Sequence, residues 1–224
     1  MAVLGFLLIV IVIAGACFWL RYTLGGQRAA YLENYAFPPA IQRKLAIKYP
    51  HLEAHQIDRA MDALRDYFDC CNRAGWRRTV SMPSQIVDDA WHEFILFTRI
   101  YQRFCRRALG RFLHHTPAEA MTSPSVAQHG IKRAWRLACA KERIDPRKPE
   151  RLPLLFAIDA ELGIADGFRY ALDCQDRNSP LFGSGYCASH IGCASGCGGD
   201  SGGCSDGGGC GGDGCGGGGG CGGD

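Results

Sequence analysis

The chain has 224 residues, a formal net charge of +3, 30 glycines and 13 cysteines. Residues 183–224 hold 21 of those glycines and 7 of those cysteines, and the first 20 residues contain no Asp, Glu, Lys, Arg or His. Setting both ends aside leaves 162 residues, enough for one domain with a substantial core and too few for two comfortable ones. These figures exclude a small disulfide scaffold, a multi-domain enzyme and a freely soluble single globule. The tail carries four aspartates and no Lys or Arg, so the remainder of the chain carries +7.

The first predicted element is a membrane span. Ala2 to Leu20 is a run of Val, Leu, Ile, Phe, Ala and small residues. As a helix it measures about 28 Å, close to the ~30 Å hydrocarbon thickness of a bilayer. Trp19 and Tyr22 stand at one end, where amphipathic rings favour the headgroup layer. Arg21 and Arg28 follow, with Arg43, Lys44 and Lys48 beyond, whereas nothing basic but the α-amino group precedes the run. That asymmetry predicts a single-pass protein of the cell's inner or plasma membrane with its C-terminal domain in the cytoplasm. The rival is a cleaved signal, since Ala14-Gly15-Ala16 precedes Cys17. Against it, there is no basic n-region, and the apolar run continues through Phe18-Trp19-Leu20.

Gly25-Gly26 is expected to break the span from the downstream chain. Pro38-Pro39 suits the first turn of a short helix, Ala40 to Lys48, ended by Tyr49-Pro50. Between Glu53 and Ala74, Ile57, Ala60, Met61, Leu64, Phe68 and Cys71 recur at helical spacing, with Gly75 as a C-cap. One long helix is expected from Pro83-Ser84. Its stripe of Val87, Trp91, Phe94, Thr98, Tyr101, Cys105, Ala108 and Phe112 extends over about seven turns. Further helices are predicted over Ser125 to Arg143 and Leu154 to Leu162. No alternating pattern is long enough to demand a sheet. The predicted fold is all-α: an N-terminal transmembrane helix (1–24), a juxtamembrane linker (25–37) and an irregular or orthogonal helix bundle (38–175). A disordered Gly/Cys-rich tail (176–224) completes it, because a half-glycine segment cannot bury enough apolar area to offset its chain entropy.

Chemistry concentrates on the long helix. Asp88 and His92 are four residues apart, one turn apart on the flank of the apolar stripe. A carboxylate beside an imidazole fits two metal ligands, a base and its orienter, or a structural hydrogen-bonded pair. His114 and His115, past the helix end, supply further ligands if the chain folds back. Cys105 lies inside the stripe and is the weaker candidate. No HExxH, paired CxxC or glycine–serine elbow accompanies them. The catalytic set is incomplete, and the plain expectation is a non-enzymatic interaction or scaffold module with an unnamed protein partner. The sharper alternative is a metal-binding or metal-dependent enzyme using Asp88, His92 and His114 or His115.

Asp88-x-x-Trp91-His92, with Thr98, Tyr101, Cys105 and His114/His115-Thr116-Pro117 after it, resembles the glycine-rich domain-containing protein-like family. Leu152-Pro153-Leu154-Leu155-Phe156 and Leu172-Asp173-Cys174 are compatible with its bacterial members. The resemblance covers about residues 38 to 175, plus the tail in composition. It implies a helical domain paired with glycine-rich sequence and carries no established activity with it. Many relatives place a second histidine two positions after His92; Phe94 stands there in this chain, which removes one candidate ligand.

Two charged or reactive sets remain. Arg99, Arg103, Arg106, Arg107 and Arg111 form a basic strip on the polar side of the long helix. Arginines so clustered either form a solvated face or grip phosphates. No RNA-binding aromatic signature or zinc-finger spacing points to nucleic acid, and for a domain tethered beside a membrane anionic lipid headgroups are the nearer anion. The tail thiols Cys187, Cys193, Cys197, Cys204, Cys210, Cys215 and Cys221 are separated by 6, 4, 7, 6, 5 and 6 positions. That spacing lacks the close pairs of a structural zinc site, although loose thiolates still suit soft metals. The vicinal Cys70-Cys71 reads as part of the helix stripe.

Overall fold

A computed structural model describes residues 2–76, 78–115, 124–172 and 191. The seven helices described are α1 (Ala2–Glu33), α2 (Pro39–Lys48), α3 (Ala54–Ala74), α4 (Gln85–Leu96), α5 (Thr98–Ala108), α6 (Pro124–Glu142) and α7 (Leu154–Glu161). The fold is all-helical, and no β-strand occurs among the described residues.

The apolar face of α3 buries Ile57, Ala60, Met61, Ala63, Leu64, Tyr67, Phe68, Cys70 and Cys71, and α3 packs against α1, α2, α4, α6 and α7. Its ends are set locally. The backbone N–H of Glu53 donates to Gln56 Oε1 at 2.9 Å, and Gly75 closes the helix at φ +75°, a conformation that glycine adopts without steric cost. Around α3 sits an aromatic cluster. Phe68 and Phe104 have ring centroids 4.8 Å apart, Phe94 and Phe104 5.1 Å, and Phe37 and Phe94 5.3 Å.

Two expectations are corrected. Gly25-Gly26 does not end the first helix, and residues 25–37 are not a free linker: α1 continues to Glu33. Its last turn is held by tertiary contacts that outweigh the weak helix preference of two glycines. Leu32 is buried, and the Arg65 guanidinium donates to the carbonyls of Leu32 (3.2 Å) and Tyr35 (3.1 Å), capping the helix end. The single long helix is two, separated at Phe97, whose φ −80° and ψ 57° are not helical. Phe112, expected in the continuous stripe, lies beyond α5 and is exposed.

α4 is anchored from a distance. Ser84 caps its N-terminus, accepting from the Val87 N–H at 3.3 Å, while the Ser84 hydroxyl donates to Asp159 Oδ1 at 2.7 Å. Asp159, buried on α7, also accepts from the backbone N–H groups of Gln85 (2.7 Å), Ile86 (3.2 Å) and Phe168 (2.9 Å). A negative charge at a helix N-terminus with four donors is the arrangement in which a carboxylate tolerates burial. Elsewhere Lys141 Nζ lies 2.6 Å from Asp66 Oδ1; burial raises the Asp66 carboxyl, and Lys141 opposes that rise.

Over the described residues, no helix is long and apolar enough to cross a membrane. Nine side chains between Ala2 and Tyr22 lie outside that description. The tail thiols Cys187, Cys193, Cys197, Cys204, Cys210, Cys215 and Cys221, the rest of 176–224 apart from Ile191, and Thr116 and Pro117 also lie outside the described residues.

Candidate metal centre

The site begins with α4, whose buried side carries Val87, Ala90, Trp91 and Phe94. Asp88 and His92 stand beside that side, one turn apart, with side chains 23% and 50% exposed. The Phe97 break then turns the chain back. Ten residues of straight helix advance about 15 Å, yet Trp91 Nε1 donates to Tyr101 Oη at 3.0 Å. The Tyr101 hydroxyl donates in turn to the Leu113 carbonyl at 2.6 Å. Just past the end of α5, Gly110 takes φ +69°, a conformation that favours glycine, and the Arg28 guanidinium lies against it. Residues 111–115 therefore return along α4, held by the buried Trp91–Tyr101–Leu113 chain of hydrogen bonds.

That return delivers His115. Its ring meets Trp91 edge-on at 4.7 Å and lies 4.1 Å from the His92 ring, and its side chain is only 15% exposed. His115 Nε2 is 3.0 Å from Asp88 Oδ1, and His92 Nδ1 is 3.5 Å from Asp88 Oδ2. One donor atom from each of Asp88, His92 and His115 falls within 4.8 Å of the others. Ligands at ~2.0–2.2 Å from a tetrahedral ion are roughly 3.3–3.5 Å apart. The three donors thus need only a small inward adjustment to share one ion.

The structure separates the two candidate histidines. His114 is exposed and meets Phe112 edge-on at 4.7 Å, outside the donor group. Cys105 is buried in the core with Cys70, Cys71 and Cys139, and burial pushes its thiol up; the same effect takes Cys71 and Cys139 to about 12. These thiols are protonated at neutral pH, so none of them is a thiolate nucleophile. Arg99, Arg103, Arg106 and Arg107 are exposed along α5, while Arg111 is half-buried and donates to the Gly75 carbonyl at 3.4 Å. A cleft of about 600 Å³, lined by Arg59, Asp66, Glu142 and Arg151 among others, involves none of the three donors.

Asp159 was missed at the level of sequence, though it carries a signal. It is the only charged residue between Leu154 and Ala160, and a lone carboxylate in an apolar run needs buried donors. Tyr49 was placed only as a helix stop; its hydroxyl donates to Asp89, which also pairs with Lys48 at 2.6 Å. That contact joins α2 to α4 beside the donor group, and nothing in the local pattern announced it.

The UCP032817-like family matches residues 27–191. The chain belongs to that family. No curated protein and no solved structure matches it. The UCP032817-like region takes in the docked end of α1, all six later helices and the Asp88, His92 and His115 group. It leaves outside the uncharged leader and all but the first of the seven tail thiols.

Proposed function

We propose that this UCP032817-like chain is a membrane-anchored helical module whose domain binds one transition-metal ion, of the zinc class, through Asp88, His92 and His115. The observation that carries the metal reading is that three donors suited to such an ion, one carboxylate and two imidazoles, converge within 4.8 Å, from both ends of a 28-residue segment folded back on itself. Imidazole nitrogen with one carboxylate oxygen suits Zn, Fe, Ni or Cu, and three protein ligands leave a coordination position for water or a partner's side chain. The ion ties the 111–115 return to α4, and so presents a fixed surface beside the first turns of α4.

The anchor reading rests on Ala2–Leu20. These residues are uncharged, and Phe6, Leu7, Ile9 to Ile13, Trp19 and Leu20 are exposed around a helix with no polar face. Arg21 and Arg28 follow the run, and that charge asymmetry supports a cytoplasmic domain. The resemblance to glycine-rich domain proteins enters as a proposal of shared architecture, supported by Asp88-x-x-Trp91-His92 and the later His115.

The deciding experiment loads the purified full-length chain in detergent with Co(II) and then with Zn(II). One equivalent is expected in a site showing d–d bands without thiolate charge transfer, which separates it from tail thiols. His92→Ala and His115→Ala each lower affinity 10–100-fold or more, whereas His114→Ala leaves it unchanged. A second reading is a metal-free scaffold, favoured by the Trp91–Tyr101–Leu113 chain that holds the return by itself. Equal Co(II) binding in the wild type and His115→Ala, with unchanged helix content, decides for that reading.

A further inference from the structure

We propose that one end of the helical domain is a second membrane contact, in which Trp76 and Phe112 enter the interfacial layer and Arg106, Arg107 and Arg111 pair with the phosphates of anionic lipids. This rests on the anchor reading of α1 and goes beyond it by fixing which end of the domain lies against the bilayer.

The direction follows from contacts along α1. Arg28 lies against Gly110 at the end of α5, while Tyr31 and Tyr35, further along the chain, reach Phe104 at 6.4 and 4.6 Å. α5 therefore runs antiparallel to α1. The same holds for α3, since Arg65 meets Leu32 and Tyr35, and Gly75, a further ten residues on, meets Arg111. The C-terminal ends of α3 and α5 thus gather on the side from which the apolar part of α1 emerges. From Leu20 to Arg28 is about 12 Å of helix, within reach of the headgroup layer for long side chains.

Composition at this end is one-sided. Residues 1–32, 70–87 and 94–118 contain no Asp or Glu. Arg106 and Arg107 occupy the last turn of α5, exposed and without an ion pair among the described residues. Trp76 is 85% exposed directly after the α3 cap, and Phe112 is 43% exposed beside Arg111. An exposed indole beside arginines suits the membrane–water interface, and each basic residue close to an anionic leaflet strengthens attraction. The positive field continues into the 78–80 loop, where Arg133 donates to the Thr79 carbonyl and has its pKa lowered by burial, with Arg78 and Arg136 adding repulsion.

The experiment uses the full chain reconstituted into neutral phosphatidylcholine vesicles and into vesicles containing phosphatidylserine. Both contain lipid brominated near the headgroup, and Trp76→Phe isolates the Trp76 signal. The expected result is quenching of Trp76 that is about twofold stronger with phosphatidylserine, lost at 1 M salt where the screening length is ~3 Å, and reduced in Arg106→Glu/Arg107→Glu. Chain that stays inserted with Trp76 unquenched in both vesicles overturns this proposal and leaves the anchor standing. Chain that fails to stay inserted overturns the anchor and this proposal together. Quenching equal in both lipids and indifferent to salt overturns the phosphate pairing, and displacement of the signal by added RNA reassigns the basic end to nucleic acid.

Discussion

At the scale of single residues, the donor group depends on side chains that contribute no donor atom to it. Trp91 and Tyr101 were legible as core positions from helical spacing, and they are buried. What spacing did not convey is that their polar atoms form a chain ending on the Leu113 carbonyl, two residues before His115. Removing the Tyr101 hydroxyl leaves a buried indole N–H and a buried carbonyl unsatisfied, at a cost of about 1–3 kcal/mol. Tyr101→Phe should therefore lower unfolding stability by that amount in urea titration and weaken Co(II) binding while all three ligands remain. Unchanged metal affinity in Tyr101→Phe would show that the return is held by other contacts. The choice between His114 and His115 was equally invisible, since adjacent residues in an irregular segment have no period to separate them.

At the scale of elements, most boundaries were legible because their signals are local. Pro38-Pro39 starts α2, Gly75 ends α3, and the pattern from Leu154 gives α7, each within about two residues of the structure. The errors came where a distant contact decides the backbone. Gly25-Gly26 is a weak breaker that the Arg65 cap and the burial of Leu32 override. The Phe97 break interrupts an unbroken stripe, because α5 gains more by folding back so that Phe104 packs on Phe68 and Phe94. α4 in turn is set by Asp159 of α7. Asp159→Ala orphans the Ser84 hydroxyl and three backbone N–H groups. The expected loss is about 3–5 kcal/mol, read as a lower urea midpoint with unchanged slope. A loss under ~1 kcal/mol would mean that water replaces the carboxylate.

At the scale of the whole molecule, the proposed anchor is tested by where the chain and its C-terminus are found. The full chain is expected to remain in the membrane fraction through an alkaline carbonate wash, and a reporter fused after Asp224 is expected to be active only in the cytoplasm. A mature chain beginning at Cys17 would remove the anchor and export the thiol-rich tail. Much of this level needs no folding to be read. An uncharged run of 19 residues, helical spacing of apolar residues and a glycine-dense end are properties of neighbours in the chain, and hydration and local sterics act on neighbours directly. The tertiary structure alone decided the break at Phe97, the extension of α1 to Glu33 and the selection of His115 beside Asp88 and His92. Each of these is settled by hydrogen bonds and packing between residues ten to thirty-six positions apart, whose energies a local pattern does not contain.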